Sequence, residues 1–267
     1  MSVSKLEFDD EGSRLVEAIN TVPDTIGRRQ AIIRALNLKT GESVLDIGSG
    51  PGHQVREMSP MVGPSGSVCG VDTSDSMLKR ARRRCEDLPN VVFHEGDAVS
   101  LPFNDGTFDA VISSMVFEYL PDVPAALRET YRVLKRGGRV AIHGCDWGAT
   151  LWRSSDPERM RRMLKVWDNH LADPNLPQTL NTKLREAGFE QGDHAVYVMF
   201  NPLLNENTYS YNLIEFIKGF NIAQGIAPEE IDAWTDDLYK LGGSGDYFFS
   251  SNEYIMMGIK AAATATL

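Results

Sequence analysis

Gly48, Gly50 and Gly52 stand one residue apart at the end of the apolar run "SVLDI". Glycine takes left-handed backbone without strain, and its missing Cβ lets the main chain come close to a ligand. A helix beginning near His53 would aim free N–H groups and a positive end into the same space, which suits a carboxylate or phosphate. Two acids follow. Asp72 ends the next apolar run, 20 residues beyond Gly52, where a carboxylate accepts from both ribose hydroxyls. Asp97 closes the run after that, in "EGDA", where it can accept from an exocyclic amine such as adenine N6. Together these residues describe a site for an adenosine derivative.

The elements that must hold them read as follows. "SVLDI" (43–47), "GSVCGVD" (66–72), "NVVFHEGDA" (90–98), "FDAVISSM" (108–115) and "GRVAIHG" (138–144) are strand-like. Helical stretches separate them: "RRQAIIRAL" (28–36) is an amphipathic helix, a helix N-capped by Thr73 or Ser74 comes between the second and third strands, and another starts at Pro124 and stops at Gly137. Strands that are apolar throughout and alternate with helices predict an α/β fold, a doubly wound and mostly parallel sheet covered on both faces. Ligands of such sheets bind outside the carboxyl ends of the strands.

The rhythm changes after residue 145. "SSDPERMRRMLKVWDNHLAD" opens with Ser155 and Glu158 in capping-box spacing, and Met160, Met163, Leu164, Trp167 and Leu171 form one helical stripe. "FEQGDHAVYVMF" is strand-like. "TYSYNLIEFIKGFNIAQG" is apolar nearly all round, so it is buried, faces a ligand, or packs on a second copy in a homodimer. A last strand lies in 245–260. The expectation is one domain over 1–267, with a binding core at 40–145 and helical insertions at 146–175 and 201–244 forming a substrate lid.

The glycine spacing is G-x-G-x-G, with His53 where a dinucleotide fingerprint wants its last glycine. In "VLDIGSGPG", "GVDTSDSML", "GDA" with "LPF", "FDAVISSMVFEYLPD" and "LKRGGRVAI", the chain resembles the class I S-adenosylmethionine (SAM)-dependent methyltransferases, and within them the ubiquinone/menaquinone-biosynthesis type. The resemblance covers residues 40 to 145. It implies a Rossmann-like sheet of seven strands and SAM as the cofactor. It also implies roles. Backbone around Gly48 and Gly50 passes under the methionine moiety, with Asp46 as an orienting acid. Asp72 holds the ribose, and Thr73 and Met77 flank the adenine. Asp97 and the Ala98 amide read the adenine edge. Ser113 or Ser114 lies near the reaction centre.

A sulfonium methyl is already activated, so the protein must mainly hold the nucleophile in line and exclude water. If a base is needed, His53, His143, Tyr119, Glu118 and Asp146 are candidates, and spacing does not choose among them. Trp147, Trp152, Tyr209 and Phe216 are expected to line an apolar, partly planar substrate, such as a phenol, quinone or polyketide-like metabolite. His94 is expected to be packed, and His170 and His194 to lie at the surface or an edge. The expected reaction is methyl transfer to an O, C or N nucleophile. The alternative is a protein of the same fold that binds SAM without methylating, as a cyclase or regulatory binder.

Composition narrows the partners. Lys and Arg number 27 against 37 Asp and Glu, a net charge of −10, which argues against nucleic acid. Cys69, Cys85 and Cys145 show no C-x-x-C pair and no zinc spacing, so no metal is expected and buried thiols in a reducing cytoplasm are. No apolar run reaches the ~20 residues of a membrane span.

Overall fold

A computed structural model describes residues 10–262, with side chains from residue 14. Its strands are β1 (Ser43–Ile47), β2 (Ser67–Asp72), β3 (Val91–Glu95), β4 (Phe108–Ser114), β5 (Leu134–Cys145), β6 (Leu151–Trp152), β7 (Glu190–Gln191), β8 (Ala195–Asn201) and β9 (Phe249–Ile259). The helices are α1 (Asp10–Thr21), α2 (Pro23–Leu36), α3 (His53–Val62), α4 (Asp75–Arg84), α5 (Val123–Val133), α6 (Pro157–Trp167), α7 (Pro177–Glu186), α8 (Tyr209–Ala223) and α9 (Pro228–Ser244).

The strand order is β3-β2-β1-β4-β5-β9-β6, with β7 and β8 also pairing β9. The five strands from β3 to β5 run parallel, and β9 returns antiparallel beside β5. Alternation along the strands puts Leu45, Val111 and Val140 in one apolar cluster and Val44, Ala110 and Ala141 in another, one on each face of the sheet. A third cluster, rich in tryptophan, joins α6, α8 and α9 to the ends of β6, β8 and β9.

The last strand starts at Phe249 because α9 runs on to Ser244, where Gly245 closes it in the left-handed conformation. "FEQGDHAVYVMF" divides into β7 and β8, and Gly192 between them lets the chain press on Met257, whose Cβ would lie 2.7 Å from a side chain there. Ser155 does not cap α6. Asp156 does, accepting from the Arg159 amide at 2.9 Å, and Pro157 at the first helical position fixes that start. The Ser155 hydroxyl instead donates to Asp237 on α9. The apolar helix α8 buries Tyr209, Leu213, Ile214, Ile217 and Phe220 within the chain. Among the described residues no helix is long and apolar enough to cross a membrane.

Candidate cofactor and acceptor site

The glycine turn follows β1 at the carboxyl edge of the sheet. Gly48, Gly50 and Gly52 have φ of +72°, +51° and +81°. A Cβ on Gly48 would sit 2.3 Å from Val116 Cγ2, and one on Gly52 would sit 2.9 Å from Ala81 Cβ. A Cβ on Gly50 would meet nothing within 4 Å. The outer two glycines therefore admit neighbouring side chains, and the middle one borders open space.

Asp72 Oδ2 accepts the Gly50 amide at 2.8 Å and Oδ1 accepts the Ser74 amide at 2.9 Å. Asp46, 2% exposed on β1, is pushed up to about 8 by burial and by the negative charge of Asp72. Asp72 beside the open glycine, with Asp46 near enough to feel its charge, would suit the ribose hydroxyls and ammonium group of SAM, and a cation there would favour ionised Asp46. Thr73 is exposed, and Met77 is buried under the Ser74 cap. Asp97 is exposed, with Oδ1 accepting the Val99 amide at 3.1 Å, and Ala98 is buried.

His53 opens α3 under a strap from α1. Its Nε2 lies 2.9 Å from Arg84 Nη1 and 3.2 Å from Glu17 Oε1, while Arg84 also pairs with Glu17. Burial, then the Arg84 and Arg29 charges, push His53 down to about 3. It is neutral at pH 7, so Glu17 is ion-paired to Arg84 and not to the imidazole. An imidazole this weakly basic is a poor proton acceptor.

The other histidine at the carboxyl edge sits in a continuous polar chain. Register sets Ser114 of β4 beside His143 of β5, and Ser114 Oγ is 3.0 Å from His143 Nδ1. His143 Nε2 is 3.1 Å from Glu253 Oε2 on β9, and Glu253 Oε1 accepts from Arg28 Nη1 of α2 at 3.3 Å. All but Ser114 are buried. Burial alone would raise the Glu253 carboxyl, but Arg28 and His143 hold it below its ordinary value. Burial pushes His143 down, against the pull of Glu253. Ser113 points the other way, donating to the Ile47 carbonyl at 2.8 Å inside the sheet.

Nearby, Glu118 is 1% exposed, and neither carboxylate oxygen has a partner among the described residues. Burial pushes it up to about 8. Tyr119 is half-buried, its hydroxyl raised by burial and then by Glu118. Asp146 accepts from Gln178 Nε2 at 2.9 Å. Arg28 and Glu253 escape a reading by motif, although an acid inside the apolar strand "NEYIMMGI" is the available signal.

Aromatic rings fill the space beyond. Trp147 meets Trp167 edge-on at 5.8 Å, Trp152 meets Phe249 at 4.8 Å, and the Arg28 guanidinium lies 5.7 Å over Tyr209. Phe216 packs at the margin of this cluster. His170 is not at the surface. It is 2% exposed, stacked on Trp167 at 3.7 Å, and burial pushes it down to about 4. The apolar residues surrounding it outweigh the polar helix end on which the sequence places it. His194 is at the sheet's edge, accepting the Met257 amide at 3.1 Å. His94 is exposed, with its ring edge-on to Phe103 at 5.4 Å rather than packed away. The indole N–H groups of Trp147, Trp152, Trp167 and Trp234 have no partner among the described residues. No group of three metal-binding side chains occurs among those residues.

A family profile described as a methyltransferase domain matches residues 45–142. Over 112 residues the chain is 38% identical to the demethylmenaquinone methyltransferase of Staphylococcus saprophyticus, spanning 42% of this chain and 48% of that protein. The chain spans about half the length of the curated relatives it matches. The structure of Haemonchus contortus phosphoethanolamine N-methyltransferase 2 with SAM gives a TM-score of 0.64 at 22% identity, covering 98% of this chain and 60% of that one. The cyclase SpnF gives 0.58 at 21% identity, covering 90% and 81%. These two likenesses establish a shared fold. The glycine turn, the acids that follow it and the matched stretch agree: through residues 45–142 the chain is similar to methyltransferase domains.

Proposed function

We propose that the protein transfers a methyl group from SAM to an O, C or N nucleophile of a small, largely apolar metabolite. One observation carries this reading: Gly50 borders open space and gives its amide to Asp72, whose negative charge is felt in turn by Asp46. When bound, SAM supplies a methyl group on a positively charged sulfur. Asp72 would hold the ribose and Asp46 the ammonium group. Asp97 and the Ala98 amide would face the adenine.

The two insertions, 146–175 and 201–244, would form the wall and lid of the acceptor chamber. They contribute Trp147, Trp152, Trp167, Tyr209, Phe220 and Trp234 to one buried cluster. Flat rings favour a planar acceptor, and unpartnered indole N–H groups would donate to its oxygens. The relative named for demethylmenaquinone agrees with a quinone-like or phenolic acceptor. The net charge of −10 argues for a small molecule over nucleic acid. Three buried free cysteines suit a reducing cytoplasm.

Calorimetric titration with SAM and S-adenosylhomocysteine tests the cofactor half, and release of S-adenosylhomocysteine over a panel of phenols, quinols and amines tests the transfer. Binding of both nucleotides without turnover of any acceptor would favour a non-methylating use of the fold, for which the likeness to SpnF is the support. No binding would remove the proposal altogether.

A further inference from the structure

The chain Ser114–His143–Glu253–Arg28 has a direction. Glu253 is held ionised by Arg28, so its oxygens only accept hydrogen bonds. His143 must then carry its proton on Nε2, the nitrogen facing Glu253. That leaves Nδ1 with a lone pair, and the Ser114 hydroxyl donates to it. With its proton turned inward, Ser114 Oγ offers its lone pairs to the site.

Its position suits that role. Ser114 ends β4, and Met115 behind it takes φ +57°, turning the chain. The next residue, Val116, fills the space over Gly48. On the other side Ser113 is bonded to Ile47, the residue before the glycine turn. Ser114 is half-buried beside that turn, and it alone in the polar chain is not fully enclosed.

We propose that Ser114, backed by His143 and Glu253, takes a proton from the methyl acceptor, and that the acceptor is therefore a hydroxyl or enol rather than an amine. This rests on the methyl-transfer reading above. The acceptor's O–H proton passes to Ser114 Oγ as the Ser114 proton passes to His143 Nδ1. The oxygen's electron pair forms the new bond to the methyl carbon, and the carbon–sulfur bond breaks with its electrons returning to sulfur. The products are a methyl ether, S-adenosylhomocysteine and an imidazolium at His143 facing the Glu253 carboxylate. Bulk water recovers the proton when the products leave. Ser114 touches the acceptor. Glu253 and Arg28 are positioning residues that set the tautomer and receive the charge. An amine is already a nucleophile in its neutral form and needs no such relay.

The test begins without any acceptor. Long-range proton–nitrogen NMR on protein labelled at histidine nitrogens, with His143→Gln supplying the assignment, is expected to show His143 neutral and protonated on Nε2 at pH 7. Glu253→Gln is expected to turn the tautomer over. An imidazolium, or a proton on Nδ1 in the wild type, overturns the relay whatever the turnover. Calorimetry with SAM on the wild type reports separately on the methyl-transfer reading. In the acceptor panel, Ser114→Ala and Glu253→Gln are expected to lower kcat on hydroxyl acceptors roughly 100-fold. The loss should be smaller for 4-nitrophenol, which is far more ionised at the same pH, than for phenol. Equal losses for the two phenols, or turnover of anilines in place of hydroxyls, overturns the assignment.

Discussion

Asp72 reaches back from the end of β2 to accept the Gly50 amide at 2.8 Å. This one bond joins the acid that would hold the ribose to the glycine that leaves room for the ligand. It also brings a negative charge close enough to Asp46 to help keep that carboxyl protonated.

Replacing Asp72 should therefore act on the cofactor directly. Asp72→Ala is expected to weaken SAM binding by about 1.5–3 kcal/mol, roughly 10- to 100-fold in Kd, the range for hydrogen bonds to a charged partner. Calorimetry measures it. Unchanged affinity would remove Asp72 from the ribose site.

Two neighbouring glycines should respond differently to the same change. Gly48→Ala adds left-handed strain and drives a Cβ into Val116, so it should cost roughly 2–4 kcal/mol. Gly50→Ala carries the strain without the clash and should cost about 1–2 kcal/mol. Thermal unfolding at about 2–4 °C per kcal/mol separates them. Val116→Ala should recover part of the loss in Gly48→Ala and none in Gly50→Ala.

Glu118 predicts a pH effect with a definite sign. Its carboxyl ordinarily titrates near 4.5 and is raised to about 8 in the fold. Between those values the folded protein keeps a proton that the unfolded chain releases. Stability from this group is full below pH 4.5 and falls as pH rises toward 8. Glu118→Gln should remove that decline and stabilise the ligand-free protein near pH 8 by roughly 1–4 kcal/mol, the scale set by about 1.4 kcal/mol per unit of raised pKa. The gain should shrink at pH 5. An equal gain at both pH values would mean that the carboxyl titrates normally.

The α1 strap gives a fourth expectation. Glu17 joins α1 to Arg84 over the start of α3. Arg84→Ala should speed amide exchange in residues 10–21 while leaving the sheet protected. Bound SAM should slow exchange in the same helix if the strap closes over the ligand. Exchange in α1 indifferent to both would show that the strap is held elsewhere.

The core of the fold was readable because its signals are local. An apolar strand, a glycine turn and an acid at the next strand end recur within some 30 residues, as from Ser43 to Asp72. Ser114 and His143 could be named as single residues, since each falls at a strand end. Their partnership could not, because it depends on register between β4 and β5. Glu253 lies 110 positions from His143 and Arg28 lies 225 from Glu253. No spacing rule spans such distances. His170 misleads for a related reason: Asp168 and Asn169 before it are polar, and besides Trp167 the rings that bury it, Tyr119, Trp147 and Phe220, come from far along the chain. The glycine triplet was legible as a turn, but which of its members faces a neighbour and which faces open space is settled by Val116 and Ala81.

The strand β9 pairs with β5, β6, β7 and β8 and carries Glu253. As the chain leaves the ribosome, every other strand of the sheet emerges before it. Until residues 249–259 follow, β5 has an unpaired edge, Arg28 lacks its carboxylate and His143 has nothing to fix its tautomer. The binding turn after β1 is therefore made early in synthesis, and the proton relay beside it is completed last. A nascent chain halted before β9 would have its glycine turn but an open, adhesive sheet edge, the state in which this protein is most exposed to aggregation.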